Sequence, residues 1–290
     1  MVITIGHDIY DKEGNLLLAK GYQCDISEPS RQRLQRLGLL SELMRSDPNV
    51  PEQPGSAFTA QPRPVIQMIG KTNIIFNPLL AGIMSNEASP SNSSMRIAYM
   101  IVENLLFKAK DKAWQPFLGT LSHHVEWLYS HSINTALVSC LIGVELKYSR
   151  KQLEELAIGA LLHDIGQTLL PKSVLEKPGK LTEAEMIIVR SHCEMGYSML
   201  TDFDIPEVSH TIVLQHHERV NGTGYPCGLT GDKMLEESRI VAIAETFDTA
   251  TTVRPYKAAK SVAAILKEID EQKDCYDNRL VRHLTAGINS

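Results

Sequence analysis

The sequence predicts a mainly α-helical protein, a helical bundle preceded by a small N-terminal β-hairpin and a helix. Three observations favour this fold class. Apolar residues make up 43% of the 290 residues, which is enough for a sizeable buried core. The apolar stretches are rich in the helix-favouring residues Leu, Ala, Ile and Glu, while aromatic residues make up only 6%. Beyond about residue 96, apolar residues recur at three- and four-residue spacing.

The sequence divides into three segments. Residues 1–45 alternate apolar and polar residues around a turn signal at Gly14 and Asn15, and then show a helical pattern, which predicts a small α+β segment. Residues 46–95 are rich in proline and serine and predict a linker with a connecting element. Residues 96–290 carry successive helical patterns, and we expect them to form one helical domain.

Two capping boxes define helix starts in this last segment. Ser149 with Gln152 opens a helix that ends near Gly166, and Thr182 with Glu185 opens another. In each box the first residue and the residue three positions later satisfy each other's free backbone donors. The apolar face of the second helix is predicted to continue through residues 188–199.

Titratable side chains continue the apolar faces of these helices. His192 lies on the apolar face of the second capped helix, and His216 and His217 end the apolar rows of the helix after it. Glu245 and Asp248 follow the apolar stripe of ESRIVAIAETFDTATT. A buried ionisable group is costly unless it is paired or binds a metal ion, so these positions are candidates for a site.

Charge and cysteine usage exclude several classes of function. The net charge of −5 argues against binding to nucleic acid polymers or anionic lipids. No run approaches the roughly 18 apolar residues of a membrane span, and charged residues occupy the place of a signal segment, so we expect a cytoplasmic protein. The five scattered cysteines predict reduced thiols. Cys193, beside a candidate ligand, is interpreted as a small buried hydrophobe.

The candidate metal ligands are histidines and carboxylates on helix-like segments: His131, His163, Asp164, His192, His216, His217 and Glu245. A single buried histidine is more often a core residue than a ligand. Together, however, these groups exceed what one ion with an open position needs, and their nitrogen and oxygen donors suit iron, manganese or zinc. The set predicts two ions about 3.5–4 Å apart, bridged by Asp164, an arrangement suited to phosphoester hydrolysis.

Three stretches together resemble the HD-GYP family, a branch of the HD metal-dependent phosphohydrolases: HDIGQTLLPKSVLEKPGKLTEAE, HHERVNGTGYP and RIVAIAETFDTATTVRPYK. The resemblance covers about residues 96–290. It implies an HD-type helical bundle that hydrolyses the bacterial messenger cyclic di-GMP to pGpG, GMP or both, using two or three iron or manganese ions. His163 and Asp164 match the pair that gives the family its name, and a bridging hydroxide is expected to attack the phosphorus.

The resemblance also implies roles for other residues. Asp164 and Gln167 are expected to be catalytic. Substrate contacts are expected from Gln167, Arg219, Gly224, Tyr225, Pro226, Asp248 and Arg254. The NGTGYP loop is linked to partner recognition, which implies diguanylate cyclases or other signalling proteins as partners. A homodimer suits a signalling protein, although no heptad pattern or exposed apolar stripe demonstrates one.

Three positions depart from the family pattern. Gln167 stands where the family usually has a lysine that contacts the substrate phosphate, and the missing charge is expected to weaken transition-state stabilisation by about 1–4 kcal/mol. Glu245 replaces a usual aspartate ligand, and Trp127 stands where three-metal members carry a glutamate, which favours two ions. The alternative function is a low-activity or inactive module that binds cyclic di-GMP or docks partners. The GYP segment disfavours an HD hydrolase for another nucleotide.

Overall fold

A computed structural model describes residues 2–4, 9–10, 16–18, 23–25, 93–108, 112–252, 260–272 and 274–289. The N-terminal part of this set consists of short strands. β1 (Val2–Thr4) pairs antiparallel with β4 (Gln23–Asp25), and β2 (Ile9–Tyr10) pairs antiparallel with β3 (Leu16–Leu18). The helix predicted before residue 45 and the predicted linker up to residue 92 lie outside the described residues.

The rest of the described chain is helical, and the mainly α fold class is confirmed. The helices are α1 Ser93–Glu103, α2 Gln115–His124, α3 Glu126–Glu145, α4 Arg150–Leu162, α5 Lys172–Leu175, α6 Glu183–Arg190, α7 His192–Leu200, α8 Glu207–Gln215, α9 Glu236–Thr251, α10 Val262–Glu271 and α11 Asn278–Asn289. A π-helical turn, Asn104–Lys108, follows α1, and a 3₁₀ segment, Ile165–Leu169, follows α4. In the described part of the chain, every helix is too short or too polar to cross a membrane.

Helix α3 forms the centre of the bundle. Its residues 128–143 are all buried, because α1, α4, α9 and α11 pack around it. A helix that is apolar on all sides needs neighbours on all sides, and Leu137 and Leu141 of α3 accordingly belong to the same core as Leu161 of α4 and Val241 of α9. His131 lies on this central helix, so any site built around it lies inside the bundle.

Both predicted capping boxes are confirmed. At the start of α4, Ser149 Oγ accepts from the backbone N–H of Gln152, and the Gln152 side chain accepts from the backbone N–H of Ser149 at 3.0 Å. At the start of α6, Thr182 and Glu185 make the same reciprocal pair at 3.2 and 2.6 Å. These hydrogen bonds satisfy orphan donors of the first helical turn and fix where each helix begins.

The predicted continuous helix through residue 192 is wrong at one position. The structure ends α6 at Arg190 and begins α7 at His192, with Ser191 between them. The Ser191 hydroxyl donates to the carbonyl oxygen of Ile188 at 2.6 Å, a local bond of the kind that competes with the helical ladder. The break places His192 at the first position of a new helix rather than midway along an old one.

A backbone contact holds the 3₁₀ segment against α7. A Cβ atom on Gly166 would lie 2.0 Å from the carbonyl oxygen of His192 and 2.6 Å from the backbone nitrogen of Gly196. Only a residue without a side chain allows the two backbones to approach this closely. The contact brings the end of α4, which carries His163 and Asp164, beside the start of α7, which carries His192.

Candidate active site

Asp164 lies at the centre of a buried cluster of imidazoles. Its Oδ2 atom is 3.8 Å from Nε2 of His131 and 3.3 Å from Nε2 of His163, whereas its Oδ1 atom is 3.2 Å from Nε2 of His192 and 3.8 Å from Nε2 of His216. The two oxygens of one carboxylate therefore face two different pairs of histidines. This is the arrangement that a carboxylate bridging two ions requires.

Backbone carbonyls set the protonation of three of these rings. The Nδ1 atoms of His163, His192 and His216 lie 2.7, 2.6 and 2.9 Å from the carbonyl oxygen of the residue three positions earlier. Because a carbonyl oxygen only accepts, each Nδ1 carries a proton, which leaves Nε2, beside Asp164, as the atom of each ring that a metal ion can bind. This is the form in which imidazole binds a metal ion.

Asp248 sets the fourth ring in the same way. Its Oδ2 lies 2.7 Å from Nδ1 of His131, and its Oδ1 accepts from the hydroxyl of Thr252 at 2.8 Å. Asp248 is only 1% exposed and lies outside the set of residues that line the cavity. The structure thus places the buried Asp248 carboxylate against His131, a predicted metal ligand, and its expected contact with substrate stays a prediction.

An Asp248→Asn variant is expected to bind divalent metal about 10–100-fold more weakly. In the wild type the Asp248 carboxylate orients His131 and raises the basicity of its ring, and the amide would do neither as well. Metal affinity is measured by competition with a chromogenic chelator. Asp270→Asn, at an exposed position on α10, is the matched control and should keep the wild-type affinity. Equal affinities for the two variants would show that His131 needs no such support.

The unpaired lone pairs of the cluster fit divalent cations. His163 Nε2 is buried without a hydrogen-bond partner, and the Nε2 atoms of His192 and His216 lie only 3.1 Å apart. Two lone pairs at this distance repel each other unless a cation or a proton lies between them. Two groups of candidate ligands have donor atoms within 4.8 Å of one another: His131, His163 and Asp164, and His192, Cys193, His216 and His217.

His217 and Glu245 lie at the open side of the cluster. His217 Nδ1 is 3.6 Å from Glu245 Oε2, an atom that is otherwise buried without a hydrogen-bond partner, and both side chains are 15% exposed. Burial, followed by the neighbouring His216 and His192, holds the pKa of His217 well below its usual value, so the ring is a neutral donor. Burial alone would raise the pKa of Asp164, but the surrounding imidazoles outweigh it and lower that pKa, so the carboxylate is ionised.

Gln167 makes a contact that the sequence did not predict. Its Nε2 donates to Oδ1 of Asp164 at 2.6 Å, and the side chain is 8% exposed while still lining the cavity. The amide thus supports the central carboxylate from the position where the family usually places a lysine. Its expected contact with the substrate phosphate stays a prediction.

Glu218 is a functional residue that sequence reasoning missed. Its carboxylate is fully buried and accepts the backbone N–H groups of Cys227, Gly228 and Leu229 at 2.7, 3.1 and 2.9 Å. These residues directly follow the GYP tripeptide. The sequence offers one signal for this role of Glu218, which is its position directly after the predicted ligands His216 and His217. A sequence does not reveal, however, which backbone groups a buried carboxylate will meet. Glu218 ties the GYP loop to the histidine pair beside it.

The GYP loop contributes one side chain to the cavity. The Tyr225 ring stacks on His217 with centroids 4.6 Å apart, and its backbone N–H donates to the carbonyl oxygen of His217 at 3.2 Å. A Cβ atom on Gly224 would lie 2.4 Å from Cα of Glu218, so glycine is required for this close approach. Gly224 and Pro226 do not line the cavity, and their expected substrate contact stays a prediction.

Of the two predicted substrate-binding arginines, Arg219 is described by the structure and does not line the cavity. Arg219 donates to the carbonyl oxygens of His216 and Glu218 at 3.3 and 2.8 Å, and its guanidinium lies 5.2 Å from the centroid of the Tyr276 ring. These contacts hold Arg219 against the backbone of the histidine segment, and its expected contact with substrate stays a prediction. Arg254 lies outside the described residues.

A cavity of about 360 Å³ opens beside the cluster. Its predicted members are His131, Asp164, Gln167, His192, His217, Tyr225 and Glu245, and it is further lined by Trp127, Val174, Leu175, Lys177, Gly179, Leu181, Val189 and Thr249. His163 and His216 lie beneath this surface and are 0% exposed. The apolar wall between residues 174 and 189 was not predicted, because its residues join the site only through the packing of α5 and α6 onto the bundle.

Comparison with known proteins places this site in a family. The chain is 40% identical over 212 residues to the cyclic di-GMP phosphodiesterase response regulator RpfG of Xanthomonas campestris, covering 72% of this chain and 51% of that protein. It is 34% identical over 166 residues to the cyclic di-GMP phosphodiesterase PA4108 of Pseudomonas aeruginosa, covering 56% and 40%. It is also 36% identical over 141 residues to the 3'3'-cGAMP-specific phosphodiesterase 3 of Vibrio cholerae, covering 49% and 31%.

A family model described as "HD domain" matches residues 119–280. The chain belongs to the HD domain family, in its HD-GYP branch. The match includes every predicted HD-GYP metal ligand, from His131 on α3 to Glu245 on α9, together with the GYP loop. The predicted family is thus confirmed. This HD-GYP chain spans about half or less of the length of the curated relatives it matches.

Proposed function

We propose that this HD-GYP protein is a metal-dependent phosphodiesterase that hydrolyses cyclic di-GMP to pGpG, GMP or both. The observation that carries the proposal is the position of Asp164, whose two oxygens face two separate pairs of imidazole lone pairs. The similarity to proteins named cyclic di-GMP phosphodiesterases, at 40% and 34% identity, supports this choice of substrate.

The proposed ligand set is His131, His163, Asp164, His192, His216, His217 and Glu245. Two divalent cations, when bound, would lower the pKa of a water molecule and offset the charge of the phosphoryl group. The donors suit iron or manganese, with zinc as an alternative. Trp127 lines the cavity beside His131 at the position where a third-ion glutamate would be expected, which supports two ions rather than three.

The cavity walls offer partners for a cyclic dinucleotide. Lys177 is the sole cation among the described residues that line the cavity, and we propose that it faces a substrate phosphate, although Glu185 now pairs with it at 2.6 Å. Aromatic faces for purine bases come from Tyr225 and Trp127. In this proposal, Gln167 orients Asp164 and contributes an uncharged hydrogen-bond donor beside the reacting phosphate.

An HD-GYP module of low activity is the second candidate. The bond from Gln167 to Asp164 favours it, because the amide that replaces the usual lysine carries no charge and is already engaged. Such a module would bind cyclic di-GMP or dock diguanylate cyclases and other signalling partners through the GYP loop. Because the chain is also similar to a 3'3'-cGAMP-specific phosphodiesterase, 3'3'-cGAMP is a second nucleotide to test.

One experiment separates these candidates. The purified full chain is loaded anaerobically with Fe(II) or Mn(II), its metal content is measured, and cyclic di-GMP and 3'3'-cGAMP are supplied separately, with products resolved over hours. The proposed function requires pGpG or GMP from cyclic di-GMP. Two bound ions with no product from either nucleotide, together with retained cyclic di-GMP binding, would favour the binding module instead.

A Gln167→Met variant is expected to bind metal about tenfold more weakly, because methionine has a similar length but cannot donate to Oδ1 of Asp164. Chelator competition and single-turnover hydrolysis are measured together. If Gln167 instead contacts only the substrate phosphate, metal affinity stays at the wild-type value and only turnover falls. Gln272→Met, at an exposed glutamine directly after α10, controls for the loss of an amide.

The remaining organisation is also proposed. The catalytic domain would begin with α1, since Met95 and Ala98 of that helix belong to the core and Ser94 bonds to Glu145 at 2.6 Å. This start, at residue 93, lies slightly before the predicted boundary at 96. The segments 1–45 and 46–92 would then form the α+β segment and the linker. We further propose a cytoplasmic location. We also propose a homodimer, and size-exclusion chromatography with light scattering would test this oligomeric state.

A further inference from the structure

The thiol of Cys193 faces the metal ligands rather than apolar side chains. Its sulfur lies 3.5 Å from Nε2 of His192 and 4.0 Å from Nε2 of His216, and the residue is 0% exposed. The sequence-based interpretation as a small buried hydrophobe predicts apolar neighbours around the sulfur. The structure instead places it against two imidazole Nε2 atoms, while the Nδ1 atom of each ring faces a backbone carbonyl oxygen.

These distances match those between ligands that share one tetrahedral ion. A sulfur bound at about 2.3 Å and a nitrogen bound at about 2.0–2.1 Å on one zinc ion lie roughly 3.6 Å apart. The distances from Cys193 to His192 and His216 lie close to this value, and the 3.1 Å between the two Nε2 atoms is of the same order. The three distances therefore allow the sulfur and both nitrogens to share one ion.

A simple hydrogen bond from the thiol accounts for the geometry less well. One S–H group can donate to His192 or His216, but it cannot satisfy the lone pairs of both, and the two nitrogens would still face each other. A shared cation satisfies both nitrogens and the sulfur together. Asp164, whose Oδ1 lies 3.2 Å from Nε2 of His192, completes a set of four donors around this point.

We infer that Cys193 is an additional metal ligand, supplying a thiolate to the ion held by His192, His216 and Asp164. The inference rests on the proposed metal site and adds a soft donor to it. On binding, the metal–sulfur bond forms as the S–H bond breaks, and the proton passes to solvent. A thiolate favours zinc, iron and cobalt over manganese, so Cys193 would shape the metal preference of this chain.

Cobalt spectroscopy tests the inference without relying on activity. The full chain is titrated with Co(II) under reducing conditions, and the near-ultraviolet charge-transfer band that a Co(II)–thiolate bond produces is recorded with the bound stoichiometry. We expect this band in the wild type and its loss in Cys193→Ser, with zinc affinity reduced more than about tenfold. Cys140→Ser, equally buried but on α3 with its thiol near the carbonyl oxygen of Leu153, should keep the band.

The outcomes distinguish the inference from the function on which it rests. Two cobalt ions bound without a thiolate band, or a band that persists in Cys193→Ser, would overturn the ligand role of Cys193 and leave the metal site intact. Failure of the wild type to bind cobalt would overturn the metal site itself. If Cys193→Ser does not fold, X-ray absorption on the zinc-loaded wild type decides, through the presence or absence of a sulfur neighbour at about 2.3 Å.

Discussion

Replacing Asp164 by asparagine is expected to lower the rate of cyclic di-GMP hydrolysis by more than about 10³-fold. Removal of a single preorganised hydrogen-bond donor usually lowers a catalytic rate by about 10²–10³-fold, and we expect the loss of Asp164 to exceed that. The amide keeps the shape of the side chain but loses its charge, and its NH₂ group must face one of the two histidine pairs. The NH₂ group would then point at the Nε2 atoms of that pair, which are the atoms that bind an ion. The variant is therefore expected to retain at most one ion of two.

Two measurements made on the same sample check this prediction. Metal content by mass spectrometry and single-turnover hydrolysis should fall together in Asp164→Asn, while circular dichroism shows a helical content like that of the wild type. Asp202→Asn, an exposed aspartate just after α7, makes the same chemical change away from the site and should leave both quantities unchanged. Hydrolysis within tenfold of the wild type would contradict the central role given to Asp164.

A Gly166→Ala variant is expected to lose about 3 kcal/mol or more in the free energy of unfolding. The added methyl group would lie 2.0 Å from the carbonyl oxygen of His192 and 2.6 Å from the nitrogen of Gly196, and both are backbone atoms that cannot rotate away. Either the 3₁₀ segment or α7 must shift by roughly an ångström. Because that shift separates Asp164 from His192, activity is expected to fall about 10²-fold in the folded fraction.

Urea unfolding followed by circular dichroism measures the first effect, and single-turnover hydrolysis under strongly folding conditions measures the second. Gly143→Ala is the matched control, because its methyl group would meet only side-chain atoms, 2.8 Å from Leu153 and 3.2 Å from Leu156. Those side chains can rotate, and alanine favours the helix by about 1 kcal/mol, so its stability should stay near the wild-type value. Similar losses for both variants would argue against the backbone contact.

The sequence predicts well what depends on local order along the chain. The capping box at Ser149 is a relation between residues three positions apart, and the structure contains it. The apolar faces that end in His192 and His216 follow from helical periodicity, and both rings are buried as expected. The helical fold class follows from the same periodic pattern.

The contacts that the sequence did not reveal depend on how the helices pack and on which backbone groups a side chain meets. Asp248 was expected at the substrate but lies behind His131, 117 positions earlier in the sequence. Arg219 was expected at a phosphate, yet nearby carbonyl oxygens hold its guanidinium. Cys193 is of a residue type common in cores, and only the packing of α7 against α8 brings its sulfur near His216 as well as its neighbour His192. Residue type alone does not determine which partner a side chain meets.

The hydrogen bonds of Glu218 connect the GYP loop to His216 and His217, so that the loop and the two rings are expected to move together. Glu218 holds the backbone of residues 227–229, and it is joined through one peptide bond to His217 and through two to His216. A protein that binds this loop and displaces it must displace the two rings as well. Suppose that such a partner changes the affinity for metal by some factor. Thermodynamic reciprocity then requires that bound metal changes the affinity for the partner by the same factor. In the proposed function, docking at the GYP loop and metal binding would in this sense share one equilibrium with two ligands.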